Sequence, residues 1–146
     1  MNMAFVRGKD GQVWITDSAG TQRELSSFVT TVDDSLTAEE LDTTTIGGTS
    51  YKSSIRGFLG YSGSINGLFD NGSTAVPDKY LQDLINAAST VTSTLTLAPA
   101  GSAAGRRYTQ ATVNFTSYDR SVPVDGMVTF TANFSLASGS VTAGTF

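Results

Sequence analysis

The chain has 146 residues, a formal net charge of −4, and neither histidine nor cysteine. That length fits one domain, 1–146, with a core able to stand without disulfides, and the two missing residue types exclude disulfide frameworks, thiolate sites and histidine-based catalysis or zinc binding. Only 15% of residues are charged, against about a quarter in an average globular protein, so the acidic chain offers no broad surface for phosphates and little protection against self-association.

The opening MNMAFVRGKDG lacks the apolar core of a signal peptide, and no run approaches transmembrane length. The chain is therefore expected to be made in the cytoplasm, soluble and without a membrane partner. Strands are expected at 4–7, 12–16 and 25–33, with Asp10-Gly11 turning between the first two. Residues 38–56, AEELDTTTIGGTSYKSSIR, then form a polar segment with Gly47-Gly48 inside it. Connections this long are uncommon in compact domains and are usually functional. A long projecting loop is expected, whose two antiparallel arms would reach roughly 30 Å. Leading into it, over Asp33–Asp42, a single helical turn capped by Thr37 and Glu40 and an extended continuation of the preceding strand are equally open.

Over 58–69, Leu59, Tyr61, Ile65 and Phe69 share one parity and face opposite Gly60, Ser62, Ser64 and Asn66. Asn71-Gly72 closes that strand. A helix is expected over 77–89, with Pro77 at its first position, Asp78 in its first turn, and Leu81, Leu84, Ile85 and Ala88 as one apolar stripe. Val91, Leu95 and Leu97 alternate with threonines in the next strand, and a small-residue loop, 98–106, precedes a strand at 107–118. Asp125-Gly126 joins the last pair of strands. Val128, Phe130, Ala132, Phe134 and Leu136 point inward in the clearest strand of the chain. The C-terminal segment 137–146 fits no core pattern. The fold class is mostly β (α+β): an antiparallel β-sandwich or barrel-like domain of about seven strands, with one flanking α-helix.

Few motifs rise above bland readings. Asp33, Asp34, Glu39, Glu40 and Asp42 lack calcium-loop spacing and read as a solvated turn or strand. Gly57, Gly60, Gly63 and Gly67 match no phosphate loop and mark bulges or close backbone approach. Arg106–Arg107 reads as a solvated strand end, and Trp14 as core or interface packing. The N-x-[ST] triplets at Asn71, Asn114 and Asn133 are chance matches in a Ser/Thr-rich chain. No catalytic residue, cofactor or metal is expected.

Two stretches resemble the major tail protein family of long-tailed bacteriophages. One is Asp42-Thr43-Thr44-Thr45-Ile46-Gly47, continued by Tyr51, Ile55-Arg56-Gly57 and the glycine-rich run Tyr61–Asp70. The other is Ser121-Val122-Pro123-Val124-Asp125-Gly126, followed by the strand Val128–Leu136. The resemblance implies a structural virion protein whose copies form stacked hexameric rings, the tail tube through which DNA passes. It implies a stacking loop at Asp42–Arg56, with subunit or ring contacts at Asp42, Thr44, Ile46, Gly47, Tyr51, Ile55 and Arg56. Residues 137–146 would be a second contact arm. Implied partners are further copies of the chain, the tape-measure protein, tail-terminator and tail-tip proteins, and DNA in transit. The implied location is the virion tail, after assembly in the host cytoplasm. Six copies at −4 would give a ring of about −24, which repels DNA from the wall if acids face the lumen. The rival reading is a carbohydrate- or receptor-binding β-sandwich, with exposed Tyr51, Tyr61 or Tyr118 lining a shallow site. A carboxylate-pair glycosidase is a distant third.

Overall fold

A computed structural model describes residues 7–47, 51–70, 76–87 and 90–146. The strands are β1 (Gln12–Thr16), β2 (Gln22–Glu24), β3 (Val29–Asp42), β4 (Ser54–Leu68), β5 (Ser93–Ala98), β6 (Arg107–Ser121) and β7 (Thr129–Thr145). Among the described residues one α-helix, α1 (Pro77–Asn86), lies between β4 and β5. All seven strands belong to one sheet in the order β2-β1-β5-β6-β7-β4-β3, and every ladder is antiparallel. The mostly β architecture with one flanking helix is the one expected.

The sheet has to roll up. Laid flat, six strand spacings would put the two edge strands β2 and β3 about 29 Å apart. Yet only Leu25–Phe28 connect them, a span of about 17 Å at full stretch. The edges are drawn together instead. The Leu25 amide donates to the Val13 carbonyl at 3.0 Å, and the Leu68 amide to the Phe28 carbonyl at 2.8 Å. The Val13 amide donates to the Ser26 hydroxyl at 3.0 Å. A barrel-like interior results, in which Val13 and Ile15 from β1 share one apolar cluster with Ile65 of β4, Leu95 of β5, Val113 of β6 and Phe130 of β7.

Helix α1 packs on this interior through Tyr80, Leu81 and Leu84, all buried. Full burial of each such leucine contributes about 1.5–3 kcal/mol. Proline starts the helix, where its missing N–H costs nothing. Asp78 in the first turn fastens it to β6, accepting from the Tyr118 hydroxyl at 2.6 Å and pairing with Arg120 at 3.5 Å. The helix ends at Asn86, short of the expected 89; residues 88 and 89 lie outside the described residues.

Phe130, Ala132 and Phe134 are buried on one parity of β7, as the alternation predicts. That parity also accounts for the glycines of β4. Gly67 stands opposite Phe130 and Gly63 opposite Phe134. A Cβ at Gly67 would lie 2.7 Å from the Phe130 ring and collide with the Phe28 carbonyl. At Gly63 it would lie 2.8 Å from the Phe134 ring and collide with the Asp33 carbonyl. The aromatic rings cover the glycines and fill the space a side chain would occupy.

Other expectations shift. Asp10-Gly11 is not a hairpin turn: the Gly11 amide closes a 3-10 turn on the Gly8 carbonyl at 3.1 Å and leads into β1. Residues 4–6 of the expected first strand, and Asn71-Gly72, lie outside the described residues. The β1–β2 turn is held by Asp17, which accepts from the Ala19 and Thr21 amides and from Arg23. Burial works to raise the Asp17 pKa, but those bonds, Thr21 foremost, hold it below the usual value. Residues 137–146 do not project as an arm. β7 continues along β6 to the Arg107–Thr145 pair. Phe146 then packs its ring 4.9 Å from Tyr108 and 6.1 Å from Trp14, measured between centroids.

Candidate functional site

The expected loop at 38–56 is largely strand. β3 runs unbroken to Asp42 and β4 starts at Ser54, so the two form one long hairpin closed by residues 43–53. Whereas β4 pairs with β3 out to Ser54, it pairs with β7 only over Ser62–Leu68. β7 leaves it after Ser135, following β6 through a register shift that holds Gly139 at φ +74°. Such bulges bend a strand out of its sheet. The outer half of the hairpin therefore departs from the body as a two-stranded arm about 20 Å long, plus its tip.

Tyr61 marks the root of the arm. It is 3% exposed, and its hydroxyl donates to Asp34 Oδ2 at 2.7 Å. Burial first, and the Asp34 carboxylate second, push its phenol pKa well above the ordinary value. Beyond Tyr61 the same face continues with Leu36 opposite Tyr61 and Ala38 opposite Leu59. Leu36 is 62% and Leu59 59% exposed. A register shift between Ala38 and Glu40 follows, and then Leu41 stands opposite Ile55. Leu41 lies against the Gly57 position, as Glu39 does, so this pair is on the other face. Phe58 is 87% exposed. An isolated two-stranded ribbon is marginal in water, and this one carries apolar side chains on both faces. These exposed apolar side chains make the ribbon the candidate contact surface of the molecule.

The tip is tied together by the residues of the Asp42-x-Thr44 motif. Asp42 Oδ1 accepts from the Thr44 amide at 2.8 Å. The Thr44 hydroxyl accepts from the Ser53 amide at 2.9 Å and donates to the Ser53 carbonyl at 3.3 Å. The Thr43 amide donates to the Ser53 carbonyl at 2.9 Å. The Thr44 amide, and then its hydroxyl, hold the Asp42 carboxyl below its usual pKa. Gly47 adopts φ +83°, open to glycine and strained for other residues. Thus Asp42, Thr44 and Gly47 build the tip, while Ile46, Tyr51, Ile55 and Arg56 face solvent. Arg56 stands opposite Glu40 in the ladder.

Leu36, Leu41, Phe58 and Leu59 were not singled out as contact residues by the sequence reading. No period-two alternation runs through 29–42 to flag them, because the ladder carries register shifts at Val29/Thr31 and Ala38/Glu40. The acids Asp33, Asp34, Glu39, Glu40 and Asp42 are strung along exposed β3, and no group of three or more carboxylates among the described residues could hold a metal ion. Two of the three tyrosines expected to line a glycan site are spoken for: Tyr61 is buried, and Tyr118 is half-buried on Asp78. No helix among the described residues is long and apolar enough to cross a membrane.

No protein-family model matches the sequence, and no characterised protein sequence matches it either. Solved structures do. A chain of the SPP1 tail tube aligns with TM-score 0.75 at 13% identity, over 97% of this chain and 80% of its own. A chain from the tail of a gene transfer agent particle, refined with C6 symmetry, aligns at 0.72 and 17% identity, over 93% and 96%. A chain of the anti-feeding prophage cap, which terminates a tube, aligns at 0.69 and 11% identity, over 100% and 95%. The fold is that of chains from tail tubes and tail-like particles.

Proposed function

We propose that the chain is the structural subunit of a tail tube, with no catalytic role, and that six copies close into rings that stack. The observation that carries this is the β3–β4 arm, an ordered ribbon with apolar residues on both faces, projecting from a body with the fold of tail-tube chains. The C6 symmetry of the gene transfer agent tail supports the ring number. The arm and its tip, Asp42–Arg56, supply the contacts to neighbouring copies: Asp42, Thr44 and Gly47 hold the tip in shape, and Ile46, Tyr51, Ile55 and Arg56 touch the neighbour. The finished tube belongs to a virion tail, assembled in the host cytoplasm. It is capped by terminator and tip proteins, encloses a tape-measure protein and passes DNA. An acidic subunit suits that passage, because phosphate affinity comes from neutralising Lys and Arg.

The test is negative-stain electron microscopy of the purified protein, concentrated and diluted, alone and seeded with a tail-tip complex. Rings or hollow tubes of uniform diameter are expected. Protein that stays monomeric under all of these conditions would overturn the reading.

A further inference from the structure

Strand direction places the two long hairpins at opposite ends of the sheet. β4 enters the body from the arm and finishes at Leu68, opposite Thr129 where β7 begins. The β6–β7 turn, residues 122–128, follows the Ser121–Thr129 pair and so lies at the end away from the arm. Turns are ordinarily polar. This one exposes Val122 at 74%, Val124 at 105% and Met127 at 68%, and its one charge is Asp125. It is also stiff. Pro123 has its ring torsion fixed, and a Cβ at Gly126 would lie 3.2 Å from the Pro123 ring.

We propose that the 122–127 turn is the docking surface for the β3–β4 arm of a second copy, joining successive rings head to tail. This rests on the tube-subunit reading and deepens it by naming the second half of the contact. A contact between unlike surfaces at opposite ends of a molecule repeats without closing, as a filament requires. Turn-to-turn pairing would stop at two copies. The arm is the matching occupant because it carries uncovered Leu36, Phe58 and Leu59, and because it extends about 20 Å from the opposite end. Each contact is small, and repetition around a ring multiplies it.

The chain has no cysteine, so single-cysteine variants give unambiguous crosslinks. Val124→Cys, Phe58→Cys and a helix control, Asp83→Cys, all alter exposed positions. Equal amounts of two variants, one carrying a mass tag, are mixed concentrated and treated with a short bis-maleimide. The mixed product of Val124→Cys with Phe58→Cys is expected at least about ten-fold above either variant with Asp83→Cys, and tubes of Val124→Asp should be absent or short while rings persist. A Val124–Val124 product without the mixed one overturns the proposal, as does unimpaired tube growth by Val124→Asp. Phe58→Cys linking to itself or to Asp83→Cys, but never to Val124→Cys, overturns this contact and leaves self-association standing. No product in any mixture, with protein monomeric by sedimentation, overturns the tube-subunit reading as well.

Discussion

The two halves of the β3–β4 hairpin use similar residues in different surroundings. In the inner half, Ile65 is fully buried, Gly63 and Gly67 lie beneath Phe134 and Phe130, and β7 completes the ladder on the open side. In the outer half, Leu36, Leu41, Ile55, Phe58 and Leu59 are interspersed with polar residues, yet β4 has no β7 alongside and the side chains meet water. Apolar patterning alone therefore does not separate fold-holding residues from those awaiting another molecule. What separates them is where the neighbouring strand stops.

The largest effect should come from removing the outer half altogether. Replacing residues 37–60 by an Asn-Gly turn keeps the Leu36–Tyr61 pair as the closing rung. Assembly should be abolished while the variant melts cooperatively as a monomer, read by sedimentation and circular dichroism. A variant that still forms tubes would show that the arm is not the contact. Within the inner half, Phe130→Ala should cost about 3–5 kcal/mol in denaturant melts, because it empties a fully packed aromatic site. An unchanged midpoint would mean that the inward parity of β7 is wrong. Gly67→Ala should cost less, about 1–3 kcal/mol, by forcing a methyl against the Phe130 ring and the Phe28 carbonyl. Smallest on the monomer should be Leu59→Ser in the outer half, within about 0.5 kcal/mol. If its stability loss approached that of Phe130→Ala, the arm would belong to the folded core and the comparison would collapse.

Much of this was legible from residues. Val128–Leu136 alternates so strictly that its inward face could be assigned correctly, and Pro77-Asp78 with the stripe through Leu81 and Leu84 located the helix. The tip motif was also visible, although not its cause, which is the bonding of Asp42, Thr44 and Ser53. The glycines of β4 were read as places of close approach without the rings that make them so, because Phe130 and Phe134 come from β7, some sixty residues later in the chain. The arm has the sequence pattern of a loop because its residues are polar on average, and only the ladder to β4 makes them strand.

The sequence by itself determined local matters: composition closed off histidine and thiol chemistry, period-two alternation set strand faces, and proline set the helix start. Tertiary structure decided everything that depends on a remote partner. It rolled the sheet, because four residues cannot bridge a flat one. It folded residues 137–145 along β6 and packed Phe146 beside Trp14 and Tyr108. It also ended the β4–β7 ladder at Ser62, leaving one half of a hairpin uncovered. Alternation says which way a side chain points, and only pairing between distant segments says what stands there to meet it.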